Sequence, residues 1–134
     1  MLFGQMKNLV MHQTNNDIED LGDFMPYLAG YLNEGYDRVV EAWNGGHAGD
    51  ETYPWLGRDD ETPKTPEWTH QVIVDWATWL MYRNGNPNKQ SRGQAYRDAA
   101  ERKLLNIRGM SAASKGVVAT DTSKAKRYFI NIPR

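Results

Sequence analysis

Apolar residues recur along the first third of the chain at Ile18, Leu21, Met25, Leu28, Leu32, Tyr36, Val39 and Trp43. Steps of three and four trace one face of a helix over residues 17–43. Asn16-Asp17-Ile18-Glu19 has the form of a capping box at its start, and Asn44-Gly45-Gly46 supplies a stop. Pro26 removes a backbone donor inside this span. It predicts either a kink or a short first helix that ends near Phe24 and is followed by a longer one. Residues 44–64 lose all periodicity and are rich in Gly, Pro and acids, as a long loop would be. Tyr53, Trp55 and Leu56 are the apolar side chains in that loop, either pinned to the core or offered to another chain.

A second helix is predicted over 66–83, with Thr65 as N-cap, Pro66 at the first helical position and Glu67 complementing the dipole. Trp68, Val72, Trp76, Trp79, Leu80 and Arg83 define its main face. Between 72 and 82 only Asp75 and Thr78 interrupt an apolar run. A helix apolar nearly all round lies at the centre of a domain or between subunits. Asn84-Gly85-Asn86-Pro87 ends it. A third helix follows over 90–107, with Tyr96, Ala99, Ala100, Leu104 and Ile107 facing inward and Arg92, Arg97, Arg102, Lys103 and Arg108 crowding the remainder. Beyond Gly109 the stretch MSAASKG reads as a flexible linker. Two runs of β character follow, Val117-Val118-Ala119-Thr120 and Tyr128-Phe129-Ile130-Asn131-Ile132, joined by Asp121-Thr122-Ser123-Lys124.

The expected architecture is all-α: a small bundle of three to four helices with a long loop and an extended C-terminal β-like arm. Residues 1–108 form the helical domain, with 1–14 as an N-terminal extension and 44–64 as the loop, and residues 109–134 form the arm. The expected core contains Leu28, Leu32, Val39, Val72, Trp76, Leu80, Tyr96 and Leu104.

At 134 residues the chain is one domain's worth. Its net charge of −1 conceals two unequal halves. Residues 15–62 hold twelve acids against Arg38 and Arg58, a balance of −10; residues 82–134 hold twelve Lys or Arg against Asp98, Glu101 and Asp121, a balance of +9. Such a dipolar chain suits acidic and basic faces of identical subunits meeting head to tail, a contact that closes into a ring when the rotation allows. The basic half alone also suits a phosphate backbone, but the aromatics are concentrated in the apolar 66–83 segment and the acidic half would repel DNA.

Candidate chemistry is sparse. With no cysteine, disulfides, thiolate metal sites and cysteine nucleophiles are excluded. His12, His47 and His70 lie in three separate segments without metal-ligand spacing, and His70 reads as structural. Neither GxxxxGK[ST], GxGxxG nor GxSxG is present. Asp50-Glu51 and Asp59-Asp60-Glu61 lack the ligand alternation of a calcium loop and read as a solvated acidic loop. Asp75, between Val74 and Trp76, is the one carboxylate with an apolar setting; a hydrogen bond or salt bridge to another helix is its ordinary explanation, and catalysis as a lone base the weaker one. No cofactor is expected. No apolar run approaches the ~20 residues that span a bilayer, and MLFGQMKNLVMHQ lacks the order of a signal peptide, so no membrane partner is expected.

The segment 66–108 resembles the core of the head–tail connector proteins of tailed bacteriophages, also called neck adaptor or head-completion proteins. In that family a helix opening on Pro and a small polar residue carries a long apolar stretch. It ends in an element like Tyr82-Arg83-Asn84 before a loop and another helix, and an amphipathic helix such as 17–43 precedes it. The 44–64 loop and the terminal arm depart from the usual pattern. The resemblance implies a non-enzymatic virion protein of the neck, synthesised in the bacterial host cytoplasm. It would assemble with itself as a ring, commonly of twelve copies, between the portal protein and the next neck or tail protein, and extend a channel through which DNA passes without sequence recognition. On that reading Arg97 and Arg102 serve subunit contacts, and Tyr128, Phe129, Ile130 and Ile132 of the arm dock on a partner. A DNA-binding or packaging accessory is the alternative.

Overall fold

The computed structural model describes residues 1–14, 26–45, 55–83 and 87–114. Of these, 82% are helical and none is in a strand, so the described part is all-α. Four helices follow in order: α1 (Phe3–Gln13), α2 (Leu28–Gly45), α3 (His70–Arg83) and α4 (Pro87–Ser114), with a short 3₁₀ turn at Glu67–Thr69 before α3.

The N-terminal residues are part of the core, which corrects their expected role as an extension. Phe3, Met6 and Val10 are spaced by three and four, share one face and are buried. Gln5 Oε1 accepts the Leu2 N–H at 2.6 Å at the start of α1, and Thr14 Oγ1 donates to the Val10 carbonyl at 2.8 Å at its end. The helix is tied to the segment ahead of α3 by backbone bonds from Phe3 N–H to Glu61 O (2.8 Å) and from Gly4 N–H to Asp59 O (3.1 Å).

Helix α2 begins just after Pro26, as a proline that cannot donate within a helix favours. The proposed stretch 17–25 lies outside the described residues. Leu28, Leu32, Tyr36, Val39 and Ala42 are its buried stripe. Gly35 lies in the same stripe, where a Cβ would come within 2.7 Å of the Ile73 carbonyl oxygen; only a glycine lets α2 and α3 approach so closely.

Helix α3 is central within the monomer. Every residue from Val72 to Tyr82 is buried, because α1, α2 and α4 all pack on it. Its start differs from the expected one. Thr65 is not the N-cap; Pro66 precedes a 3₁₀ turn in which Thr69 Oγ1 bonds the Pro66 carbonyl (2.6 Å) and Thr65 Oγ1 (2.9 Å). Trp68 therefore leaves the inner face: it is 48% exposed and its ring lies 6.2 Å from that of Trp43.

Helix α4 extends past the expected end at 107. Residues 109–114, read as linker, continue the helix to Ser114. Small residues such as Ala112 and Ala113 are good helix formers when nothing breaks the turn. Ala100 and Ile107 are buried, and Tyr96 and Leu104 are half-buried against the core. Tyr96 stacks on Tyr82 with ring centroids 6.2 Å apart and an interplanar angle of 8°. Of the other expected core residues, Leu28, Leu32, Val39, Val72, Trp76 and Leu80 are buried. Residues 115–134, including both β-like runs, lie outside the described residues.

Candidate interaction surfaces

Asp75 has a structural setting. It is buried, and its Oδ1 accepts from Gln71 Nε2 one turn back (3.0 Å) and from Gln13 Nε2 at the end of α1 (3.4 Å). Gln13 Oε1 in turn accepts from Thr78 Oγ1 at 2.5 Å. The network fastens α1 to α3 and satisfies polar groups that would be costly to bury alone.

His70 is likewise a packing group. Its Nε2–H donates to the Thr65 carbonyl at 2.8 Å, which leaves Nδ1 as an acceptor facing the Met1 amine at 3.1 Å. Burial pushes its pKa below the usual imidazole value; the nearby amine acts in the same direction, while the bond to Thr65 and the charge of Glu67 oppose it. Glu67 accepts from the same amine and is held below the ordinary carboxylate range chiefly by that bond.

The acidic turn at 58–61 is internally committed. Asp59 pairs with Lys7 of α1 at 2.6 Å and Asp60 with Arg58 at 3.2 Å. Glu61 Oε1 accepts the backbone N–H groups of Gly57 and Arg58, each at 2.6 Å, and those bonds lower its pKa. No group of three or more potential ligand side chains is placed to hold a metal among the described residues. Asp50, Glu51 and His47 lie outside them, as does Tyr53.

Leu56 is tucked into the core while its neighbour Trp55 is 59% exposed, so the two apolar loop residues have opposite roles. Leu56 pins the loop, and Trp55 is available for contact.

The two arginines proposed for subunit contact are separated by the fold. Arg97 lies over the Trp79 ring at 5.3 Å and reaches Glu101 Oε2 at 3.5 Å. On the α2 side, Arg38 covers Trp76 in the same way at 5.2 Å and stands 3.8 Å from Glu41. These guanidiniums shield the outer edges of the α3 tryptophans, a use of arginine that needs no partner chain. Arg102, five residues on, is exposed on another face of α4. Tyr128, Phe129, Ile130 and Ile132 lie outside the described residues.

Helical phase resolves the unequal charge halves into two stripes. On α2, opposite the buried set, Gly30, Glu34, Asp37 and Glu41 succeed one another at steps of four, three and four. On α4, Arg92, Ala95, Ala99, Arg102, Lys103 and Asn106 share a face that contains no acid. Net charge alone did not reveal the acidic stripe; its signal was the phase of Glu34, Asp37 and Glu41 relative to Leu32, Tyr36 and Val39. Leu105, 74% exposed, is the most exposed large apolar residue among those described.

Comparison with protein-family models, with curated proteins and with solved structures found no match to this chain. No described helix is long and apolar enough to cross a membrane.

Proposed function

We propose that the protein is a non-enzymatic structural component of the neck of a tailed bacteriophage, in which copies form a ring between the portal and the next neck or tail protein. The observation that carries this reading is the placement of unlike charge on two different helices of one small protomer. The acidic stripe of α2 and the basic stripe of α4 flank the same central helix. A protomer with two unlike faces can assemble heterologously, and heterologous contacts close into a ring when the rotation between copies allows. The likeness of 66–108 to neck adaptors supports the virion assignment, and the absorption of Asp75 and His70 into packing networks supports assembly as the activity.

Negative-stain electron microscopy and native mass spectrometry of the concentrated protein, alone and with a portal protein, test the reading. Closed rings or a portal-bound species are expected. A second reading, a DNA-binding or packaging accessory, draws on the basic stripe of α4. It requires a monomer whose affinity for duplex DNA falls steeply with salt.

A further inference from the structure

We infer that the contact between copies is a helix-on-helix docking in which the basic stripe of α4 on one copy lies against the acidic stripe of α2 on the next. This deepens the ring reading and rests on it for the closure of the chain of contacts, though not for the contact itself.

The basic stripe is built for a helix. Arg92 and Arg102 are about 15 Å apart along α4 at ~1.5 Å per residue. Between them stand Ala95 and Ala99, small side chains that let another backbone come close. Lys103 adds a further cation on the same side, and no acid interrupts the stripe. Of the acids of α4, Asp98 borders the stripe one turn before Arg102 and accepts from Gln94, and Glu101 lies further round the helix, where it engages Arg97.

The acidic stripe is its counterpart. Glu34 to Glu41 spans about 10 Å by the same rise; Glu34 is half-buried with Trp76 Nε1–H directed at it, Asp37 and Glu41 are exposed, and Gly30 continues the stripe with nothing within 4 Å of a Cβ built there. Glu41 has only a 3.8 Å contact with Arg38, a pair that is half-exposed or more on both sides and easily exchanged. Duplex DNA fits less well than a second copy. It would use the basic stripe alone, and it would leave the acids of α2 and the two alanines without a role.

The absence of cysteine provides the test. Gly30→Cys and Ala95→Cys each place one thiol within a stripe and remove no charge. The two variants are mixed at equal amounts and treated with a short bis-maleimide. Crossed Gly30→Cys/Ala95→Cys dimers should exceed either like-with-like dimer by roughly tenfold, because unlike faces meet. Introducing Arg102→Glu with Lys103→Glu into the Ala95→Cys chain should abolish that excess. Pairing it with a Gly30→Cys chain that also carries Asp37→Lys and Glu41→Lys should restore it. Like-with-like dimers in excess, no crossed product, or a charge swap that fails to restore it would each overturn the inference. Rings seen by microscopy without the crossed product would leave the ring reading standing and remove this docking. Crossed product from open chains that never close would do the reverse. Loss of DNA binding in the Arg102→Glu, Lys103→Glu chain, together with no crossed product, would transfer the basic stripe to nucleic acid.

Discussion

The side-chain amide of Asn33 holds the backbone of Leu56 with two hydrogen bonds. Its Oδ1 accepts the Leu56 N–H at 2.7 Å, and its Nδ2 donates to the Leu56 carbonyl at 2.8 Å. The same Nδ2 also reaches the Ala29 carbonyl one turn back, at 3.0 Å, so the carboxamide is aimed by its own helix. This pairing seats the Leu56 side chain in the core and leaves Trp55 outside.

Asn33→Ala should therefore destabilise the protein by about 1–3 kcal/mol, because it orphans a donor and an acceptor beside a buried residue. Asn33→Asp retains the acceptor but at neutral pH sets a carboxylate oxygen against the Leu56 and Ala29 carbonyls, so it should cost at least as much as the alanine. Urea denaturation of the three proteins checks the order; equal midpoints would show that the loop contributes nothing to the fold.

Gly93 and Tyr82 set the distance between α3 and α4. A Cβ on residue 93 would lie 2.4 Å from Tyr82 Cβ and 3.1 Å from Trp79 Cε3. Helix propensity favours alanine by ~1 kcal/mol, but overpacking of this kind costs about 1–3 kcal/mol and here has no flexible atom to displace. Gly93→Ala should lower the melting temperature. Gly109→Ala, with open space around its Cβ and the same helix, should raise it slightly. A rise in both would mean that the helices do not meet at Gly93.

Trp76 is buried between α2 and α3, with Arg38 over its ring and its Nε1–H directed at Glu34 Oε2 at 3.4 Å. Trp76→Ala should cost roughly 3–5 kcal/mol, as large-to-small changes in a core do. Arg38→Ala should cost much less, since it removes a half-exposed cover and not the ring. A melting temperature near that of the parent for Trp76→Ala would show that the ring does not pack in the core.

His70 should make stability depend on pH in the mildly acidic range. Its folded pKa lies below the unfolded value of about 6.5. The folded state thus prefers the neutral ring. The corresponding stability is fully present above pH ~6.5 and is lost as pH falls toward and through the folded pKa. Glu61 and Glu67, both held low, add their own loss only in the carboxylate range further down. Thermal melts of the parent between pH 7.5 and 5 should show a decline that His70→Gln lacks. Parallel profiles for the two proteins would remove His70 as the cause.

Much of the architecture was legible because helical amphipathicity is a local property. The steps of Leu28, Leu32, Tyr36 and Val39 and the apolar run from Val72, interrupted only by Asp75 and Thr78, announce α2 and α3 without reference to anything distant. Helix α1 carried the same kind of signal in Phe3, Met6 and Val10. That signal is weak, because three apolar positions in a short segment define a helix only once a partner face exists. The end of α4 is obscured for the opposite reason. Gly109 and the small residues after it look like a linker, yet nothing among them breaks a turn, and a helix already nucleated continues through them.

The sequence by itself determined the helix class, the apolar character of α3 on nearly all sides and the unequal division of charge, since each follows from residue type and spacing. Only the tertiary structure decided which charges remain available. Arg97 and Arg102 are equivalent as letters, but one is folded over Trp79 on α3 and the other faces outward. Likewise the acids of 58–61 are consumed by Lys7, Arg58 and backbone amides, while Asp37 stays on an open face. Partner choice of this kind depends on which elements are brought side by side. For Lys7 on Asp59 and Arg97 on Trp79 the energies that settle it act over a few ångströms between residues many positions apart, a separation that no local pattern encodes.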